Sequence, residues 1–100
     1  MIGFKLFRKR RDGTYGPLFI NKKQKLIPGV TYIAEEHPTP GFAFRPGWHI
    51  CPFPVAPHLS KKNRVWCEVE FELMNTIIRP ESQGGKWYLG SKMNILREIE

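Results

Sequence analysis

The side chains best suited to chemistry fall in Gly41-Phe42-Ala43-Phe44-Arg45-Pro46-Gly47-Trp48-His49-Ile50-Cys51-Pro52. Arginine holds phosphate through a planar fork of donors, and histidine binds or transfers a proton near neutral pH. Tryptophan offers a face on which a base or a nicotinamide stacks. Arg45, Trp48 and His49 therefore form one half of a candidate ligand pocket. The second half is Arg79-Pro80-Glu81-Ser82-Gln83-Gly84-Gly85-Lys86-Trp87-Tyr88, which would present Glu81, Gln83 and Trp87. Such a pocket requires the two segments to meet across a cleft. The plainer reading of the second segment is a strand connection whose glycines satisfy turn geometry.

Metal and covalent chemistry find less support. His49 and Cys51 lie two apart, so on a strand they point to one face. His37, His58 and Cys67 add further soft ligands, but zinc favours close pairs such as C-x₂-C or H-x₃-H, and neither occurs. The expectation is a hydrogen-bonded histidine beside a buried thiol, with no metal and no cofactor. A nucleophilic cysteine needs an electropositive, partly exposed setting, whereas Cys51 and Cys67 sit in apolar stretches and are expected to be reduced. No G-x-x-x-x-G-K-[ST], G-x-G-x-x-G or G-x-S-x-G run is present. No catalytic residue is assigned.

The charge distribution is more informative. Among the first thirty residues Lys5, Arg8, Lys9, Arg10, Arg11, Lys22, Lys23 and Lys25 are opposed only by Asp12, and the rest of the chain is close to neutral. The net charge of +7 is thus a patch rather than a general tint. A patch of one sign points to a polyanionic partner, either nucleic acid or an acidic nucleoprotein. Arg8, Lys9, Arg10, Arg11, Lys22, Lys23 and Lys25 are the candidate phosphate contacts. Tyr15 and Phe19, between the two clusters, are candidate stacking surfaces. The bland alternative is a solvated face.

These groups need a scaffold, and the pattern is that of strands. In Val65-Trp66-Cys67-Glu68-Val69-Glu70-Phe71-Glu72-Leu73, apolar residues alternate with the three glutamates. That period of two predicts a central, half-buried antiparallel strand, with Val65, Cys67, Val69 and Phe71 inside and Glu68, Glu70 and Glu72 outside. Residues 4–9, 17–20, 30–33, 48–51, 86–89 and 93–99 read as further strands. Arg11-Asp12-Gly13-Thr14 supplies a tight turn. Residues 56–63 and 91–92 are candidates for short helical or turn structure. The fold expected is one β-rich domain over 1–100, a barrel or bent sheet of short, mostly antiparallel strands.

One hundred residues suffice for one modest core. No apolar run approaches the roughly 20 residues needed to span a bilayer. In MIGFKLFRKRR the charges follow the apolar residues, the reverse of a signal peptide. A cytoplasmic protein without membrane contact is expected, with its oligomeric state left open.

Gly41-Phe42, Arg45-Pro46-Gly47-Trp48-His49, Ala56-Pro57-His58-Leu59, Arg64-Val65-Trp66, Glu68-Val69-Glu70 and Gly84-Gly85-Lys86-Trp87-Tyr88-Leu89 together resemble a family of small uncharacterised bacteriophage proteins. Asp12-Gly13-Thr14 and Gly16-Pro17-Leu18-Phe19-Ile20-Asn21 fit the same pattern. This resemblance implies action by binding, to nucleic acid or to a host nucleoprotein, as CRISPR inhibitors act. The glycine-aromatic-histidine strand followed by Glu-Val-Glu is similar to small domains related to ADP-ribosyltransferases. That likeness implies a nicotinamide-ribose contact at His49, with Glu81 as candidate catalytic glutamate.

Overall fold

A computed structural model describes residues 1–18, 24–34, 47–56, 59–60 and 62–99. Two long antiparallel strands dominate it: β5 (Arg64–Ile78) and β6 (Lys86–Ile99). The loop joining them contains one 3₁₀ turn, Glu81–Gln83. At roughly 3.3 Å per residue, an extended strand as long as β5 would run about 50 Å. The longest dimension of the molecule is 33 Å. The hairpin therefore coils, and it does so where its register slips, at Glu68/Val69, Glu72/Leu73 and Leu73/Asn75. An extra residue on one strand bends it and increases the local twist.

The remaining strands wrap around this hairpin. β1 (Ile2–Lys9) lies antiparallel on β5, from Ile2 opposite Glu70 to Arg8 opposite Arg64. β2 (Tyr15–Gly16) returns along the end of β1. The turn between them uses Gly13 at φ 85° and the Asp12 carboxylate, which accepts from the Thr14 N–H at 3.0 Å and its hydroxyl at 2.6 Å. β3 (Thr31–Ile33) and β4 (Trp48–Ile50) both pair with the outer edge of β6. The sheet order is β2-β1-β5-β6-β3, with β4 also on β6. Just beyond β4, Cys51 exchanges two backbone hydrogen bonds with Phe4, at 2.7 and 2.8 Å. This bridge ties β4 to β1 and curls the sheet into an antiparallel half-barrel. At the other margin Tyr15 and Leu26 exchange bonds at 2.9 and 2.7 Å.

Alternation along the strands divides the apolar residues between two faces. The inner cluster holds Phe7, Trp48, Ile50, Cys67, Val69, Phe71, Met93 and Ile95, with Tyr15 and Leu26. The opposite face gathers Leu6, Cys51, Ala56, Trp66 and Trp87. The β-rich architecture and the central position of β5 match the sequence pattern. So do the burial of Cys67, Val69 and Phe71 and the exposure of Glu70 and Glu72. Glu68 is half-buried beneath Arg97, whose guanidinium nitrogens stand 3.3 and 3.4 Å from its two oxygens.

Several expectations need correction. Val65, expected inside, is half-buried. Further along β5, where no burial was expected, Leu73 is exposed beyond the slip at Glu72/Leu73. The strands expected at 86–89 and 93–99 are one, and 91–92 lies within it rather than in a turn. Register slips around Ser91 and Leu96 reverse the parity along β6. Met93 and Ile95 thus join the inner cluster while Trp87 and Ile99 pack on the opposite face. The strand expected at 17–20 sits instead at Tyr15–Gly16; residues 19 and 20 lie outside the described ones. Within 56–63, expected to hold a turn or two, the Leu59 N–H donates to the Ala56 carbonyl at 3.0 Å and residues 62 and 63 form a turn; 57, 58 and 61 lie outside the described residues.

Candidate nucleic-acid interface

Residues of the basic patch differ sharply in what they do. Arg8 is the penultimate residue of β1, half-buried and directly opposite Arg64 on β5. Arg11 is exposed on the turn. Among the described residues no carboxylate pairs with Arg8 or Arg11. Lys9 is engaged: its ammonium lies 3.0 Å from Glu98, whose other partner is the Tyr15 hydroxyl, donating at 3.0 Å. These bonds hold the Glu98 carboxyl below its usual range, and burial together with the carboxylate pushes the Tyr15 phenol up to about 12. Lys25 pairs with Asp12 at 3.0 Å. Hydrogen bonds from Thr14, reinforced by Lys25, depress the Asp12 carboxyl.

Arg10 has a structural task. Its guanidinium donates to the Gln24 carbonyl at 3.0 Å and lies over Gly16, where a Cβ would meet it at 2.7 Å. It pegs the residues around Gln24 to the end of β2. Tyr15 is buried in the inner cluster, so its ring offers no stacking face. Lys22, Lys23 and Phe19 lie outside the described residues.

Pairing of β1 with β5 adds two basic residues that charge bookkeeping along the chain passed over. Arg64 stands across from Arg8, and its guanidinium donates to the Ser60 carbonyl at 3.1 Å. The Lys9 N–H donates to the Asn63 carbonyl at 3.3 Å, which brings exposed Lys62 to the same end of the sheet. Among the described residues Lys62 has no carboxylate partner. The signal was present as Lys61-Lys62-Asn63-Arg64, a basic run within a stretch whose acids sit elsewhere in space. Arg8, Arg11 and Lys62, flanked by Arg64 and the paired lysines, make a positive end that can hold several phosphate oxygens.

The alternative pocket residues are placed differently. Trp48 is buried and its indole N–H donates to the Tyr32 carbonyl at 3.2 Å; Trp87 is buried and donates to the Gln83 carbonyl at 2.7 Å. Arg79 covers the Trp87 ring at 5.2 Å from its centroid. Neither indole presents a face for stacking. His49 is half-buried on β4 opposite Leu89. Glu81 is exposed and borders an open depression of about 460 Å³ lined by Pro52, Phe53, Val55, Gly84 and Gly85. That depression takes in neither Trp48, His49 nor Trp87, and Arg45 lies outside the described residues. The fold thus joins Gln83 to Trp87 but leaves His49 away from Glu81's depression.

One basic residue of β1 points inward. Lys5 lies between Gly3 and Phe7 on the inner face, with its ammonium donating to the His49 carbonyl at 2.8 Å and standing 5.9 Å from the Phe7 ring centroid. Desolvation lowers its pKa to about 8, against a smaller opposing influence of Cys51. Burial raises both thiols, Cys51 and Cys67, to about 12, which is the reverse of an activated nucleophile. Among the described residues no three His, Cys, Asp or Glu side chains gather as a metal site would require. No family model, curated protein or solved structure matches the chain.

Proposed function

We propose that this protein is a small binding module whose basic end grips the phosphate backbone of nucleic acid, free or within a host nucleoprotein. The observation that carries this reading is the convergence of Arg8, Arg11 and Lys62, without carboxylate partners among the described residues, at the end of the sheet where β1 meets β5. Arg11 and Lys62 are exposed and Arg8 is half-buried, and none has an ion pair among the described residues that an incoming phosphate would have to break. Tyr15 is in the core, so its ring takes no part, and contact through the charged side chains favours binding without sequence preference. Resemblance to small bacteriophage proteins extends the reading to a host nucleoprotein as target.

Fluorescence anisotropy of a labelled duplex across a salt series tests it. The logarithm of the association constant should fall with log salt by about 0.9 per phosphate contact. Replacing Arg11 and Lys62 together by alanine should weaken binding and flatten that slope by roughly 2. Alanine at Lys25, already held by Asp12, should change it less. Unchanged affinity and slope in the Arg11/Lys62 variant, with the circular dichroism spectrum retained, rules the basic end out.

A further inference from the structure

The far half of β5 has an open edge. β1 pairs with β5 only as far as Ile2 opposite Glu70, after which the Phe71 N–H donates to the Met1 carbonyl at 2.8 Å. From Glu72 to Ile78 the strand pairs with β6 on one side and has no strand partner on the other among the described residues. Within this stretch the Thr76 N–H is held by the Asn75 side chain at 2.8 Å. Leu73, Met74 and Ile78 are 44, 48 and 78% exposed. Leu73-Met74-Asn75-Thr76-Ile77-Ile78 contains neither a charge nor a proline, in a chain with 16 lysines and arginines. Proteins that keep such an edge single usually place lysine or proline on it, cover it, or twist it away with a bulge; here the slip at Leu73/Asn75 is followed by Asn75 to Ile78 in unbroken register with β6.

The charge pattern identifies what this edge is built to meet. An acid, Glu72, stands at one end of the apolar run and a base, Arg79, at the other. Antiparallel apposition of two identical edges brings Glu72 of each copy toward Arg79 of its mate, whereas parallel apposition sets like against like. The basic end of the molecule lies at the opposite terminus of β5, beside Arg64. Two copies joined at 73–78 therefore bring uncharged segments together, with Glu72 also 4.0 Å from Lys92 of its own β6, and turn their positive ends apart. We propose that residues 73–78 of β5 pair antiparallel with the same residues of a second copy, forming a two-fold dimer with one continuous sheet. This inference is independent of the nucleic-acid reading.

Sedimentation velocity on the full chain, from about 1 to 100 µM, spans the range in which a micromolar interface fills. The apparent mass should rise from 11.7 kDa toward twice that value. L73K/I78K puts ammonium groups on the edge without touching the core and should weaken association by at least about tenfold. Glu72→Arg and Arg79→Glu should each weaken it by a few-fold, and the double exchange should restore it. The charge series stands on its own should the lysine variant fold poorly. A wild type that stays monomeric throughout overturns the proposal. So does a dimer indifferent to L73K/I78K in a folded variant, or a charge exchange that fails to rescue.

Discussion

Lys5 is the residue whose position most opposes its chemistry. An ammonium directed into the inner face of a half-barrel gives up hydration, and the His49 carbonyl returns only part of it. Its pKa falls from 10.5 to about 8, so the unfolded chain holds this proton more tightly than the folded one. The charge therefore costs stability in full below pH 8, and the cost fades as pH rises from 8 toward 10.5. Lys5→Met keeps the stem and removes the charge. It should stabilise the protein by about 1–3 kcal/mol at pH 7, with the gain shrinking by pH 10. Urea denaturation at the two pH values measures it. The buried thiols work in the opposite sense above pH 9, because they ionise first in the unfolded chain. For that reason the comparison must be between variant and wild type at each pH. An equal gain at both pH values would show that the ammonium carries no such penalty.

At the scale of elements, closure of the half-barrel depends on room at Gly3. A Cβ there would stand 3.0 Å from the Phe71 ring and closer still to Ile50. Gly3→Val should cost about 1–3 kcal/mol through overpacking, read as a lower urea midpoint with unchanged m. An unchanged midpoint would mean that β4 gives way freely. This closure was hidden in the sequence, because a single Phe4–Cys51 bridge leaves no periodic trace. β5 was legible from residue 65 to 72, where one face is buried and the other is wet. Beyond Glu72 the alternation stops, since Leu73 to Ile78 runs past the core and no burial enforces a pattern. β6 read as two pieces for a related reason: slips near Ser91 and Leu96 invert the faces midway.

For the whole molecule, the basic end was half legible. Clusters on β1 and the following turn stand out because they are contiguous in sequence. Lys62 and Arg64 did not, because their charge was cancelled on paper by Glu68, Glu70 and Glu72, which lie further along β5. Nor could the sequence say that Lys9, Arg10 and Lys25 are already engaged by Glu98, Gln24 and Asp12. Positive charge gathered at one end repels itself, and a bound anion relieves this. Sulfate at matched ionic strength should stabilise the protein over chloride by about 1 kcal/mol, or roughly 4–8 °C in Tm, by differential scanning calorimetry. The Arg11/Lys62 alanine variant should lose most of that increment, and equal effects in both proteins would detach it from the basic end.

The short loop between β5 and β6 also orders events in time. Ile78 and Lys86 pair across a few intervening residues, whereas each β1 residue finds its partner on β5 about sixty positions away. Loop-closure entropy makes the first pairing quick and the second slow. The hairpin should thus gain protection from hydrogen exchange early in refolding, and β1 should arrive last, in pulse-labelling at successive times. A destabilising change in the 79–85 loop should then slow folding, while Gly3→Val should act mainly by hastening unfolding. Until β1 docks, the edge of β5 from Val65 to Glu70 is as bare as its far half. Refolding at high protein concentration is the condition in which this chain should pair with the wrong neighbour.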